Sequence, residues 1–326
     1  MTASPRAFIW FFLIIAFGPG CADEIDLKLD LKDNRLRTLL GPDAKLEKLA
    51  DGFMFIEGPV WRGSQEDGHL LFSDIPANTV YRWTPGDATA AIEIQPVHDP
   101  QVVTGAQGGS NGLIEDASSN LVMFIHGLRR IDRRTEDGSR IAIAAHWQGK
   151  RLNSPNDGIL HSSGAIFFTD PPYGLPDQDD DKAKEIPANG IYRLDPDGSV
   201  VQLAQMHRPN GIGLSPDEKM LYVASSDLEK KWWRKFVVRD DLTLGPADIH
   251  FDARKLSEPG VPDGFAVDQA GNIWASGPGG VVVIAPDGTH LGTILTPELP
   301  ANTTFDRDEK NLYITARTGL YRLTGL

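Results

Sequence analysis

The stretch Lys150-Arg151-Leu152-Asn153-Ser154-Pro155-Asn156-Asp157-Gly158 ends in a polar tripeptide that leads into an apolar run. By itself, Asn-Asp-Gly is an ordinary turn signal. The same arrangement nevertheless returns along the chain: an oxygen-bearing side chain stands next to Gly or Gly-Pro, and two apolar runs separated by a Gly or Asp turn follow. The copies begin at Glu57, Asn111, Asn156, Asn210, Asp263 and, more weakly, Asn302. This repeat, rather than any single copy, indicates the fold.

Successive copies of the repeat lie between 39 and 54 residues apart. Each contains short strand-like runs, such as residues 68–74 followed by 79–84, and no segment shows a helical apolar period over about ten residues. A period of roughly 50 residues with about four short strands per unit is typical of a β-propeller. We therefore predict an all-β fold, a six-bladed β-propeller with a central metal site, over residues 49–326. Residues 23–48 form an N-terminal segment, and part of residues 25–55 is expected to add a strand to the last blade and close the ring.

The chain of 326 residues has a formal net charge of −13. This balance disfavours nucleic acid as a partner, because proteins bind nucleic acid by neutralising phosphates with Lys and Arg. It is compatible with binding a cation, although surface solubility is the simpler explanation of the charge.

Residues 1–22 have the pattern of a signal peptide. Arg6 provides a basic start, and the apolar run of residues 8–17 is shorter than the roughly 20 residues of a membrane span. Cleavage after Ala22 predicts an exported protein, periplasmic or secreted. We separately expect a monomer or dimer. The alternative is lipoprotein processing at Cys21, and only a lipid anchor there would bring the protein to a membrane. Because Cys21 is the only cysteine, a chain cut after Ala22 can form no disulfide and cannot use thiolate catalysis.

The recurring polar residues are expected to converge on one site. In a propeller the first strand of each blade lines the central channel, so residues at the entry of these strands surround one mouth. A set of Glu, Asn, Asn and Asp offers only oxygens, which suits Ca²⁺ with its six to eight ligands. Mg²⁺ is disfavoured because it keeps water in strict octahedral geometry, and Zn²⁺ because it usually takes nitrogen or sulfur ligands. Four such side chains leave positions open for water or a substrate carbonyl, as metal-assisted hydrolysis requires.

The segments EGPVW, LNSPNDG, FFTDPPYG, PNGIGLSPDEKMLYVA and VPDGFAVDQAGNIWAS resemble the gluconolactonase group of the SMP-30/gluconolactonase/LRE-like family. The resemblance extends from about residue 45 to the end of the chain, with the motifs in the family's order. It implies a six-bladed propeller that binds one divalent cation, usually Ca²⁺, through Glu57, Asn156, Asn210 and Asp263. It also implies that Asp263 is the general base or the nucleophile.

Two positions depart from the pattern of the family. Members related to the senescence-marker protein carry an Arg for sugar contact two residues before the Asn that matches Asn156, and this chain has Ser154 there. The segment starting at His126 resembles an HGNRR motif, but Leu128 replaces its Asn.

The function predicted from these features is hydrolysis of a small lactone or sugar-derived substrate, with the cation polarising the carbonyl. His126 and His207 are candidate proton shuttles, because histidine titrates near neutral pH, and structural roles are the alternative for both. Asn111 and Tyr173 are candidate substrate contacts, with a turn and a packing role as their alternatives.

Three other functions remain open from the sequence. They are an exported propeller that binds a sugar or protein with a structural Ca²⁺, a related metal-dependent esterase or phosphotriesterase, and a strictosidine-synthase-like lyase. Two segments also have two interpretations. The acidic insertion 175–187 is a solvated loop or a lid over the site, and the basic and aromatic run 230–235 is an exposed outer strand or a polyanion contact.

Overall fold

The computed structural model describes residues 23–101 and 108–326; the predicted signal peptide, residues 1–22, lies outside them. These residues form six antiparallel sheets of four or five strands, the blades of a propeller, and one two-stranded sheet. The prediction of an all-β, six-bladed propeller is confirmed. The helices of the described residues are an α-helix, Arg35–Leu39, and two 3₁₀-helices, Gln178–Asp180 and Ala253–Lys255. None of the helices in these two ranges has the length and apolar character needed to span a membrane.

The first four blades each contain four strands in chain order. Blade 1 consists of Ile56–Arg62, His69–Asp74, Thr79–Trp83 and Ala91–Ile94, and blade 2 of Ser110–Glu115, Leu121–Ile125, Arg130–Arg134 and Arg140–Ala144. Blade 3 consists of Gly158–Leu160, Ile166–Asp170, Gly190–Leu194 and Val200–Gln205, and blade 4 of Pro209–Leu214, Met220–Ser225, Trp232–Val237 and Asp248–Asp252. A small hairpin between blades 2 and 3 pairs His146–Trp147 with Lys150–Arg151.

The N-terminal segment adds strands to the last two blades. Blade 5 consists of Phe265–Val267, Ile273–Gly277, Gly280–Ile284 and His290–Leu295, with Lys28–Leu31 as an outer strand. Blade 6 consists of Asn302–Phe305, Asn311–Ala316 and Gly319–Thr324, followed by Lys45–Asp51 and Asp23–Ile25. Because Gly319–Thr324 pairs with Lys45–Asp51, the predicted closure of the ring by the N-terminal region is confirmed. The boundary expected at residue 48 falls within this closing strand, so residues 23–48 are part of the propeller.

The inner strands of neighbouring blades approach one another closely where they begin. A β-carbon at Gly112 would lie 2.7 Å from the carbonyl oxygen of Asn156, and one at Gly211 would lie 2.5 Å from the carbonyl oxygen of Asp263. Both glycines lie within inner strands rather than in turns. In these copies of the repeat, glycine permits the close approach of two backbones, and the turn that an isolated Asn-Gly suggests does not form.

Three inner strands carry an irregularity next to the repeated polar residue. The pairing of the first and second strands shifts between Glu57 and Val60, between Ser110 and Leu113, and between Pro209 and Ile212. A β-bulge bends its strand and changes the direction in which side chains point. These bulges therefore occur where the side chains of Glu57, Asn111 and Asn210 face the mouth of the channel.

We expect Leu46→Ala to lower the free energy of unfolding by about 2–5 kcal/mol, the usual range for truncating a buried leucine. Leu46 lies in the closing strand and is fully buried, in the same core cluster as Leu312 and Leu323. Urea denaturation measures the effect. The matched control is Leu228→Ala, whose side chain is 77% exposed and whose loss should change stability by less than about 0.5 kcal/mol. Equal effects of the two substitutions would contradict the role of this strand.

Candidate functional site

A cavity of about 250 Å³ lies where the inner strands begin. Its lining includes Glu57, Asn111, His126, Asn156, Tyr173, Asn210 and Asp263, together with Gln178 and Ser226. The structure thus brings together seven of the eight residues that the sequence analysis selected. It does not bring His207 there: this side chain is 53% exposed and pairs with Asp227.

Three oxygens in the cavity are buried without a hydrogen-bond partner among the described residues. They are the Oδ1 atoms of Asn111, Asn156 and Asp263. An unsatisfied buried polar atom costs about 1–3 kcal/mol, so three of them in one cavity point to an external partner. Because all three are oxygens, the donor set fits a hard divalent cation of the Ca²⁺ type.

Hydrogen bonds orient two of the asparagine amides. The Nδ2 group of Asn210 donates to Oγ of Ser226 at 2.9 Å, and that hydroxyl donates to the carbonyl oxygen of Pro262 at 2.7 Å. Nδ2 of Asn156 lies 3.4 Å from Nε2 of His126. Since the amide nitrogens are engaged, the oxygens of both side chains are left for the cavity.

Carboxyl groups are concentrated around the cavity. Burial, followed by the charge of Asp157, raises the pKa of Glu57 to about 8. Burial and the charges of Glu57 and Asp157 raise the pKa of Asp263 well above its usual range. A bound cation would favour the charged form of each carboxyl and reverse these shifts. In residues 23–101 and 108–326 no three His, Cys, Asp or Glu side chains form a metal cluster, so a cation here would also need the asparagine oxygens.

The sequence analysis did not select Asp157 as a site residue. Its carboxylate is buried, accepts from the N–H of Gly158 at 2.9 Å and lies 3.4 Å from Nδ2 of Asn302. Asp157 and Asn302 also line a second cavity of about 360 Å³ along the inner strands. Burial raises the pKa of Asp157 to about 6. The sequence did contain a signal for the position of Asp157. Adjacent residues in an extended chain point to opposite sides, so Asp157, which follows Asn156, faces the second cavity.

Two aspartates hold the backbone that leads to the cavity. Asp170 ends the second strand of blade 3 and accepts from the N–H groups of Asn153 and Ser154 at 2.7 and 2.8 Å. Asp74 ends the second strand of blade 1 and accepts from two successive N–H groups just ahead of Glu57. The recurrence of Asp after the apolar run, in FSD and FTD, is the sequence signal for this arrangement.

We expect Asp170→Asn to lower the free energy of unfolding by about 1–3 kcal/mol, because one buried N–H group would then face an NH₂ group in place of an oxygen. Urea denaturation followed by circular dichroism measures the change. Asp240→Asn is the control, since Asp240 is exposed. If both variants were as stable as the original protein, Asp170 would not be the residue that fixes this loop.

His126 and Tyr173 line the cavity in their neutral forms. Burial lowers the pKa of His126 to about 3, so its imidazole is neutral near pH 7, and its Nδ1 has no partner among the described residues. Burial raises the pKa of Tyr173, and its hydroxyl lies 3.4 Å from the carbonyl oxygen of Arg208. Neither side chain adds a charge to the cavity.

Ser154, which replaces the Arg of the sequence motif, is a structural residue here. Its Oγ donates to the carbonyl oxygen of Pro171 at 2.7 Å and accepts from the N–H of Gly174 at 2.8 Å. The side chain is fully buried. The hydroxyl therefore joins two loops and does not take part in the cavity lining.

These features define a class of protein: a six-bladed propeller in which residues from successive inner strands line a cavity with carboxylate and amide oxygens. The chain belongs to the SMP-30/Gluconolactonase/LRE-like family, whose model matches residues 55–318. The family resemblance identified from the sequence motifs is thus confirmed.

Named relatives and a solved structure agree with this assignment. The chain is 36% identical over 302 residues to a gluconolactonase of Zymomonas mobilis, covering 89% of this chain and 83% of the relative. It is 29% identical over 271 residues to a pentonolactonase of Haloferax volcanii, covering 81% of each. A gluconolactonase structure from Xanthomonas campestris superposes with a TM-score of 0.81 at 34% identity, covering 95% of this chain and 98% of the other.

Proposed function

We propose that the protein is a divalent-cation-dependent lactonase that acts on a small sugar-derived lactone, with Ca²⁺ as the cation. The observation that carries the proposal is the set of unpartnered, buried oxygens of Asn111, Asn156 and Asp263 in one cavity. The enzyme class predicted from the sequence, a lactone hydrolase, is confirmed by the family and by the gluconolactonase and pentonolactonase relatives.

Glu57, Asn156, Asn210 and Asp263 would hold the cation, since all four side chains line the cavity. When bound, the cation supplies Lewis-acid polarisation of an ester carbonyl and stabilises charge that develops on its oxygen. Asn111 also has a free Oδ1 in the cavity, and we assign it to the substrate side of the site.

Asp263 is the proposed reactive carboxylate. Its Oδ1 is buried in the cavity without a partner among the described residues, and its backbone N–H donates to the carbonyl oxygen of Ser276 at 3.1 Å. As a general base it takes a proton from the attacking water, and as a nucleophile it attacks the lactone carbonyl directly. In the second route water then hydrolyses the resulting anhydride and frees Asp263. In both routes the ring oxygen leaves with a proton and the product is a hydroxy acid.

The neutral His126 is placed to exchange a proton or a hydrogen bond inside the cavity. One ring nitrogen lies 3.4 Å from Nδ2 of Asn156 and the other has no partner among residues 23–101 and 108–326. Tyr173 presents a neutral hydroxyl at the same wall. We assign both to substrate binding.

We further propose that the protein is exported by means of residues 1–22 and acts as a monomer or dimer. Mass spectrometry of the mature N-terminus decides between cleavage after Ala22 and a lipid-modified Cys21.

The test of the proposed function combines a substrate panel with metal analysis. We expect purified protein to contain about one Ca²⁺ per chain by elemental analysis and to hydrolyse aldonolactones. EGTA should abolish the activity and Ca²⁺ should restore it. Hydrolysis of aryl esters or phosphotriesters but not of lactones would overturn the substrate class. Lactone hydrolysis that persists in metal-free protein would overturn the dependence on a cation.

A further inference from the structure

The acidic insertion 175–187 is fastened to the propeller at both ends. Leu175 and Ile186 are buried, and Ile186 belongs to the core cluster between blades 2 and 3. Within the insertion, the carbonyl oxygen of Ala183 accepts from Nη1 of Arg129 at 2.8 Å. The insertion 175–187 is therefore attached to the blades along its length, and we call it the wall.

Asp179 anchors the middle of this wall. Its carboxylate accepts from Nδ2 of Asn189 at 2.9 Å and lies 3.5 Å from Nζ of Lys184 and 3.3 Å from Nη2 of Arg208. Burial would raise the pKa of Asp179, but this hydrogen bond and the two positive charges lower it overall. The wall thus has a charged attachment point beside the cavity.

Gln178 extends from this wall into the lining of the cavity. Its Oε1 accepts from Nη1 of Arg208 at 2.7 Å. A guanidinium group can only donate, so the amide orientation is fixed with the oxygen toward Arg208. Nε2 of Gln178 then remains as a donor, and it has no partner among the described residues. Arg208 is itself held by Asp179 and lies over the ring of Tyr173, 6.0 Å from its centroid.

The backbone conformations of Gln178 and Arg208 indicate that the surrounding structure fixes this contact. Gln178 has φ +50° and Arg208 has φ +46°, in the left-handed region that is unfavourable for residues with a β-carbon. Such conformations cost about 1–3 kcal/mol each and persist where the surrounding structure imposes them. The surrounding structure therefore holds both Gln178 and Arg208 in these conformations.

The donor on Gln178 complements the unpartnered oxygens of the cavity. Asn111, Asn156 and Asp263 offer oxygens with no partner, and the hydroxyl of Ser154 is already used between two loops. A fixed neutral N–H group on the wall suits a hydroxyl oxygen on the part of a substrate that does not react.

We propose that Gln178 determines specificity for lactones that carry hydroxyl groups, and that Arg208 is a positioning residue that orients its amide. This inference rests on the proposed lactonase function. It assigns the insertion 175–187 a role in recognition as a fixed wall, whereas a mobile lid would act by opening and closing.

The test compares Gln178→Ala and Gln178→Glu on two lactones of equal ring size, D-glucono-1,5-lactone and unsubstituted δ-valerolactone. Glutamate can still accept from Arg208 but has no N–H group to donate. We expect both variants to lose about 3- to 10-fold in kcat/KM for the hydroxylated lactone, as for one neutral hydrogen bond. For δ-valerolactone the change should stay below about 2-fold; its inhibition constant serves if turnover is too slow to measure.

Two further variants make the result specific. Lys182→Ala, on the same insertion and exposed, should leave the ratio of the two kcat/KM values unchanged. Arg208→Ala should lower the ratio as Gln178→Ala does, and the double variant should lower it no further, because coupled residues are not additive. Thermal denaturation checks that each variant is folded.

A Gln178→Glu variant with the original ratio would overturn the inference. So would an equal loss on both lactones, which would mean that the wall supports the cavity without recognising hydroxyl groups. A wild-type protein that hydrolyses neither lactone would overturn the proposed function and this inference together.

Discussion

Replacing Asp263 with asparagine is expected to lower lactone hydrolysis by about 10²- to 10⁴-fold, the usual contribution of a general acid or base, and to leave the propeller folded. Asparagine keeps the shape of the side chain and one oxygen in the cavity. It can neither accept the proton of an attacking water nor attack a carbonyl carbon. Initial rates on D-glucono-1,5-lactone measure the effect, and circular dichroism checks the fold.

The rates are measured at several Ca²⁺ concentrations, because Asp263 is also a proposed ligand of the cation. If saturating Ca²⁺ restored the rate of the variant, Asp263 would act only as a ligand of the cation. If the rate of the variant were unchanged, the proposed mechanism would be wrong. Asp240→Asn, at an exposed aspartate, should retain the original rate and controls for the change of net charge.

A single turnover in H₂¹⁸O tests whether Asp263 acts as the nucleophile. If the carboxylate is a general base, the label appears in the new carboxyl group of the product. If it is a nucleophile, an anhydride with the substrate forms first, and water opens it at either carbonyl carbon. Attack at the aspartyl carbon leaves the label in a peptide that contains Asp263, which only the nucleophilic route can produce.

The number of blades could be predicted from the sequence because each blade carries its own local signal. Short apolar runs end at Gly, Asp or Asn, and a polar residue near the start of each first strand recurs every 39 to 54 residues. The outer strand Lys28–Leu31 could not be predicted in the same way. Its four residues, Lys-Leu-Asp-Leu, do alternate between charged and apolar types, but its place on blade 5 depends on pairing with His290–Leu295, far away in the sequence.

The site was predictable where residues share a position in the repeat. Glu57, Asn210 and Asp263 converge because each stands at the entry of an inner strand. His207 seemed close because it precedes Asn210 by three residues, but it lies ahead of the strand Pro209–Leu214 and is exposed. A position close to Asn210 in the sequence therefore does not place the side chain of His207 in the cavity.

Residues outside the repeat gave no such signal. Gln178 lies in an insertion without periodicity, and contacts with the blades hold it at the cavity, among them those of Arg208 with Gln178 and Asp179. Such a contact between distant loops depends on the complete tertiary structure. Asp157 differs, because it lies within the repeat but on the side of the strand opposite Asn156.

Glu57→Gln is expected to abolish most Ca²⁺ binding and yet to make the cation-free protein more stable than the wild type at pH 8. Glu57 is 2% exposed, and its Oε2 accepts from the N–H of Gly58 at 2.9 Å. Glutamine keeps an oxygen for that bond while removing a buried charge beside Asp157 and Asp263. The wild type should gain about 2.7 kcal/mol of stability at a Ca²⁺ concentration of 100 times Kd, and the variant should gain much less.

The pH dependence gives the sign of this effect. In the cation-free protein, burial and the charge of Asp157 raise the pKa of Glu57 from 4.5 to about 8. The folded protein therefore holds a proton that the unfolded chain releases, and its unfolding free energy falls as the pH rises from about 4.5 to about 8. Glu57→Gln removes this contribution, so its cation-free stability should fall less over the same range; Asp157 and Asp263 add the same trend to both proteins. Urea unfolding in EGTA at pH 5 and pH 8, repeated with Ca²⁺, measures both effects. If the variant were less stable than the wild type in EGTA at pH 8, the charge of Glu57 would not destabilise the cation-free protein. If the variant bound Ca²⁺ equally well, Glu57 would not be a ligand of the cation.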